Sequence, residues 1–302
     1  AGIIPTVLAQ DNRTVLLEGK DLVVLNERPL GAEARPYDLD NPVTPTRYHY
    51  VRNNGNLSAM AETQDAAGYR LVIDGEVERR LELSLDDLKA DFPIHSRNLQ
   101  LECGGNGRAG FDPSPSGMQW TVGAVACARW TGVSLADVLN AAGVRPTAIY
   151  TAHHSDDVHL SGNPEIETIS RGIPISKALN HYNLLAWEMN GEPLPPVHGF
   201  PLRLIVPGWP GSASAKWLSR ITVRDRIHDG RGMNGYSYRI NRDPVRPGTD
   251  VREEDMEIIQ SMPVKSIITR PESGVQIPLG QSLRVRGHAW AGDLEVNRVD
   301  LS

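Results

Sequence analysis

Short runs of alternating apolar and polar residues recur along the chain, while helical spacing is confined to a few brief stretches. Residues 69–77, Tyr-Arg-Leu-Val-Ile-Asp-Gly-Glu-Val, alternate and close in a turn, which predicts a strand. Ser84-Leu85-Asp86-Asp87-Leu88 then opens a short helix with Ser84 as its N-cap, and Pro93 ends it. A further alternating run enters Leu99-Gln100-Leu101-Glu102-Cys103, where glycines break the strand. Residues 120–130 are rich in small side chains that pack closely, and residues 134–139 regain helical spacing until Gly143 stops it. Residues 184–189 and 202–206 read as two apolar strands separated by a Pro/Gly loop. Beyond Met262-Pro263 the pattern becomes strands only, over residues 264–269, 282–290 and 296–301. Residues 1–47 differ from all of this: short apolar pieces are interrupted by Pro5, Pro29, Pro36, Pro42 and Pro45, which predicts an extended arm. The expectation is an α+β protein in three parts, an arm over 1–47, a compact domain over 48–261 and a strand-rich segment over 262–302.

Composition narrows the class of partner. The chain has 302 residues, 40% of them hydrophobic, enough for one large packed domain and part of another. A formal charge of -6 disfavours nucleic acid or an anionic membrane as a bulk partner. No apolar run approaches the roughly 18 to 20 residues of a membrane span, so membrane insertion is not expected. The two cysteines, Cys103 and Cys127, are expected to stay unpaired, Cys127 inside a buried segment. Their number leaves the compartment open. The start at Ala1 lacks a charged and apolar leader, so an export signal, if there is one, would already have been removed.

Candidate chemistry concentrates at Glu102-Cys103-Gly104-Gly105-Asn106-Gly107-Arg108. A thiol at a strand end is followed by glycines that let the backbone turn and present N–H groups to an anion, with Arg108 adding fixed charge. The G-x-G-x-x-G in this stretch lacks the helix a dinucleotide site needs, because Phe111-Asp112-Pro113-Ser114-Pro115 follows. A lone cysteine is more often a small buried hydrophobe. His153, His154 and His159, with Asp156 and Asp157, fit no established metal spacing and read as a polar loop. His198, Arg203, Ser212 and Lys216 follow in close succession. An imidazole, a guanidinium and an ammonium there would suit a phosphate-bearing ligand, and the alternative is a core histidine with two surface charges.

The string LECGGNGR, the following GMQWTVGAVACARWTGVSLADVL over residues 117–139, HGFPLR over 198–203 and AKWL over 215–218 together resemble the sulfite oxidase family, from about Tyr50 to the end of the chain. The resemblance implies a molybdopterin-binding domain in which Cys103 ligates molybdenum, followed by the start of an immunoglobulin-like β-sandwich that makes a homodimer contact. Such a sandwich takes about 100 residues, so only part of it would be present, and a pocket arginine of the missing part with it. The same resemblance places Arg52, Arg108 and Tyr238, with Tyr236 beside it, in the substrate pocket. It assigns Asn54, His198, Arg203, Ser212 and Lys216 to the cofactor; Asn54 stands where eukaryotic members carry a histidine. It further implies oxidation of sulfite to sulfate in the bacterial periplasm. In the absence of a C-x-x-C-H haem site, electrons would pass to an external c-type cytochrome. Oxidation of sulfane sulfur or S-oxide reduction on the same fold, a metal-free Cys/His hydrolase and a non-catalytic binding module are the alternatives.

Overall fold

The computed structural model describes residues 17–301. Two five-stranded sheets form its body. The first runs Glu192–Pro193, Leu184–Met189, Val125–Ser134 and Ile94–Glu102, with Arg203–Ile205 also paired to Leu184–Met189. All of its pairings are antiparallel, and the longest couples Ile94–Glu102 to Val125–Ser134 over nine residue pairs from Ile94↔Val133 to Glu102↔Val125. The second runs Leu81–Leu83, Leu71–Gly75, Leu218–Arg224, Tyr150–Ser155 and Arg171–Pro174. Its one parallel pairing joins Leu71–Gly75 to Leu218–Arg224.

Local sequence explains the elements. Ile94–Glu102 alternates exposed and less exposed residues before becoming wholly buried at Leu101 and Glu102, so its last turn of pleat is driven into the interior where Cys103 follows. Ser84 caps the Leu85–Asp91 helix in a reciprocal capping box with Asp87. Gly143, at φ 74°, ends the Leu135–Ala142 helix by donating its N–H to Leu139 and Asn140. That helix buries Leu135, Val138 and Leu139 in a core shared with Leu71, Ile73, Ile173 and Ile221. A second core gathers Tyr50, Leu99, Leu101, Trp120 and Trp130 beneath the first sheet. The indole of Trp130 lies fully buried and donates to the Leu99 carbonyl at 3.0 Å, so its one polar atom is satisfied.

Three expectations differ from the structure. Within the proline-rich start, residues 1–16, including Pro5, lie outside the described residues, but Val23–Glu27 and Leu30–Glu33 form an antiparallel hairpin extended by Val51–Arg52. Leu30–Glu33 is wholly buried, and the Glu33 carboxylate accepts from the backbone of Thr121 and Gly123. Tyr150–Ser155, with His153 and His154, is a central strand and no loop; Thr151 and His153 are buried because the strand is covered on that face. At the C-terminal end, Lys265–Arg270 and Arg286–Trp290 pair as expected, whereas residues 296–301 form no strand, since no neighbouring strand offers them a ladder.

Candidate active site

One cleft opens between the two sheets and gathers most of the residues singled out by sequence. The first sheet delivers Cys103, the second His153 and Arg171, and the connecting loops bring Arg52, Asn54, His198, Arg203, Ser212, Lys216 and Tyr238. Cys103 is held at the strand end by its N–H to Ala124 O, 2.9 Å. Burial pushes its thiol above the ordinary range, while the Gly105 N–H and the charges of Arg52 and Arg108 pull the other way. The thiol is free, as is Cys127.

A cationic wall faces it. Gly199, at φ 111°, closes the turn after His198 so tightly that a Cβ there would lie 3.0 Å from Lys216 Cβ and 3.1 Å from Arg203 Cβ. This brings the three basic residues together. Arg203 Nη1 donates to His198 O at 2.9 Å and its guanidinium lies 4.9 Å from the Trp130 ring centroid. Lys216 Nζ donates to Val197 O at 2.9 Å and to the Asn53 side-chain oxygen. Burial drives the His198 and Lys216 values well down and brings Arg203 to about 10. Ser212 Oγ and Arg203 Nε are buried without a partner. Such unpaired donors around a buried positive cluster are the chemistry of a phosphate cradle, since an anion there would satisfy both charge and hydrogen bonds.

In the same cleft, Arg52 keeps Nη1 buried and unpaired. Tyr238 lines the cleft, its phenol raised by burial and hydrogen-bonded to the Asn54 side chain, whereas Tyr236 is 64% exposed. Arg108 takes a different place from the one its sequence context suggests. It lies under the glycine turn, with its guanidinium 2.7 Å from where a Gly105 Cβ would be and Nη1 donating to Met118 O at 2.9 Å. It reaches the thiol by charge and does not line the cleft.

Sequence reasoning missed four contributors. His49 is buried with Nε2 unpaired, its ring 4.9 Å from that of His198. Lys20 extends behind the wall, donating to Thr46 O at 2.5 Å and to His198 Nε2, and burial lowers its value to about 7. Asp157 is the carboxylate of the cleft, raised by burial to about 6. Arg171, far from any motif, is the fourth. The available signal was weak: His49 precedes Tyr50-Val51-Arg52 directly, and Asp157 follows the His153-His154 pair by three residues. Among the described residues no group of three or more His, Cys, Asp or Glu could hold a metal ion. Cys103 can therefore supply one ligand to a metal that arrives with the rest of its coordination sphere, which fits a pterin dithiolene complex.

This geometry, a single thiol opposite a phosphate-type cradle, agrees with the family comparisons. Residues 58–231 match the family described as an oxidoreductase molybdopterin binding domain, and residues 256–302 match the Mo-co oxidoreductase dimerisation domain. The class is thereby fixed as a molybdopterin-binding oxidoreductase. Within it, the chain belongs to the sulfite oxidase family. It is 36% identical to sulfite oxidase of Gallus gallus over 93% of this chain and 61% of that one. With the mitochondrial sulfite oxidase of Rattus norvegicus it shares 35% identity over 93% of this chain and 51% of the relative. The chain thus spans between half and two thirds of the length of these relatives. The crystal structure of the sulfane dehydrogenase SoxCD from Paracoccus pantotrophus superposes with a TM-score of 0.71 at 28% identity, covering 97% of this chain and 71% of that one.

Proposed function

We propose that the protein oxidises sulfite to sulfate at a molybdopterin-held molybdenum and passes the electrons to an external c-type cytochrome, with no haem of its own. The observation that carries this reading is the meeting, in one cleft, of the lone Cys103 thiol with Arg52, Tyr238 and the cationic wall. Cys103 would ligate the metal, and His198, Arg203, Ser212 and Lys216 would hold the phosphate-bearing pterin, assisted by Asn54 and by the neighbouring His49. Bound there, the cofactor supplies a two-electron acceptor for sulfur. The chain's own residues handle the anion. Arg52 offers its unpaired Nη1 to the sulfite dianion. Tyr238, kept protonated by burial, offers its O–H to the same oxyanion, while Asn54 fixes the phenol. Arg108 places positive charge near the Cys103 sulfur and favours its thiolate. Each sulfite takes up the oxygen of one water and releases two protons and two electrons as it becomes sulfate.

The same reading sets the enzyme in the periplasm, as a homodimer through the segment that matches the dimerisation domain. No helix among the described residues is long and apolar enough to cross a membrane. A second reading, oxidation of protein-bound sulfane sulfur, is favoured by the structural likeness to the sulfane dehydrogenase.

The deciding experiment is sulfite-dependent reduction of ferricyanide by protein from a molybdenum-replete host, with molybdenum measured on the same sample. Rapid reduction is expected, and Cys103→Ser should remain folded with little or no turnover. Arg52→Gln should raise KM for sulfite about tenfold or more, as loss of a charge-assisted anion contact does. Stoichiometric molybdenum without sulfite oxidation would transfer the assignment to sulfane or S-oxide chemistry. Undiminished turnover in the Cys103→Ser variant would end the metal-ligand assignment.

A further inference from the structure

Arg171 begins the Arg171–Pro174 strand of the second sheet and is 2% exposed, yet its guanidinium is incompletely used. Nη1 donates to Gly232 O at 3.2 Å. Nε and Nη2 are buried without any partner. These two donors share one edge of the guanidinium, the edge that grips an oxyanion with two parallel hydrogen bonds. The surrounding groups do not neutralise it: the Tyr238 ring centroid lies 4.8 Å from the guanidinium carbon, and the other ionisable groups acting on it are the Tyr150 phenol and Arg239. No carboxylate among the described residues pairs with it. Burying a guanidinium with two N–H groups unsatisfied and no counter-charge is costly unless something not belonging to the chain completes it. Arg171 lines the same cleft as Cys103, Arg52 and Tyr238.

We propose that Arg171 is an anion-binding residue of the substrate pocket, taking sulfite on entry and sulfate before release through Nε–H and Nη2–H, with Arg52 as the other cationic contact and Tyr238 between them. Stacking on the Tyr238 ring fixes the plane of the guanidinium and couples its position to that of the phenol. The identity of the anion rests on the sulfite reading; the oxyanion site itself rests on Arg171 alone. The assignment also gives this chain a second pocket arginine from within the molybdopterin-binding domain.

The test uses holoenzyme carrying Arg171→Gln or Arg171→Lys, the latter retaining the charge over Tyr238 but not the two-pronged edge. For each, KM and kcat for sulfite, the inhibition constant of sulfate, and the rise in Tm produced by sulfate over chloride at equal ionic strength are measured. Both variants are expected to raise KM and the sulfate inhibition constant about tenfold or more with kcat changed by less than about threefold, and to lose most of the sulfate-induced rise in Tm. An arginine serving structure alone would lower Tm and kcat while leaving KM, the inhibition constant and the sulfate effect in place; that pattern in the folded Arg171→Lys protein overturns the proposal. If the wild type proves unable to oxidise sulfite, the sulfite reading fails, and the sulfate effect on Tm still decides the oxyanion site: its loss in Arg171→Lys supports the site, and its persistence refutes it.

Discussion

Arg203 is buried and Lys20 and Lys216 are half-buried, all three with few negative neighbours, and this sets how the cofactor-free protein responds to pH. Burial brings Lys20 to about 7 and drives Lys216 well below the ordinary lysine range. In the unfolded chain both stay protonated to about pH 10.4. Between pH 7 and about 10 the unfolded state therefore binds more protons, and this part of the stability rises with pH. The Tm of cofactor-free protein should climb from pH 7 to 9, and Lys20→Met should reduce the slope; an unaltered slope in the variant would show that Lys20 is not buried as described. At the acid end, His49, His153 and His198 are held neutral by burial, with His153 brought to about 3. Unfolding lets them protonate below about 6.5, so stability falls as pH drops through that value. Of the residues behind this behaviour, His198, Arg203 and Lys216 were legible because they lie in one short motif-bearing stretch. Lys20, His49 and Arg171 were not. Each is a single basic residue in an unremarkable local sequence, and each acquires meaning only when the chain folds it against residues up to 178 positions away, as with Lys20 and His198.

Strands and helices were read well wherever alternation coincided with a covered face. Ile94–Glu102 carries that signal because the second core fills one side of it, whereas its partner Val125–Ser134, built of small side chains and buried along most of its length, reads from sequence only as a closely packed stretch. Residues 296–301 carry the same alternation without a partner, and pattern alone does not make a ladder. The hairpin of Val23–Glu27 and Leu30–Glu33 was hidden for the opposite reason: its strands are short, prolines flank them, and its stability comes from contacts outside itself. Gly123 shows how close those contacts are. A Cβ there would stand 1.8 Å from Ala34 O, and the Gly123 carbonyl accepts from Ala34 N at 3.2 Å. Gly123→Ala should accordingly cost about 1–3 kcal/mol, the scale of a forced overpacking, read as a lower midpoint in urea at unchanged slope. A change below about 0.5 kcal/mol, the range of ordinary surface substitutions, would show that the end of the hairpin is not pressed against the segment carrying Gly123.

Across the whole molecule, the C-terminal hairpin is tied into the body at the residue preceding the thiol. Glu102 is 2% exposed; Lys265 Nζ donates to its Oε1 at 2.8 Å and Trp290 Nε1 to its Oε2 at 2.9 Å, with Asn106 Nδ2 also on Oε1 at 3.0 Å. On the other side of the hairpin, Asp293 accepts from Lys177 and from the Trp209 indole. Replacing Lys265 by Met strands a buried carboxylate and should cost about 3 kcal/mol or more, while Glu102→Gln added to that variant should restore part of the loss. Equal stability of the single and double variants would remove the ion pair as the tie. The position of the tie has a consequence for synthesis. Lys265 and Trp290 lie 163 and 188 residues after Glu102, so a nascent chain emerges with its thiol strand unbuttressed and gains the buttress only when the last of these residues leaves the ribosome.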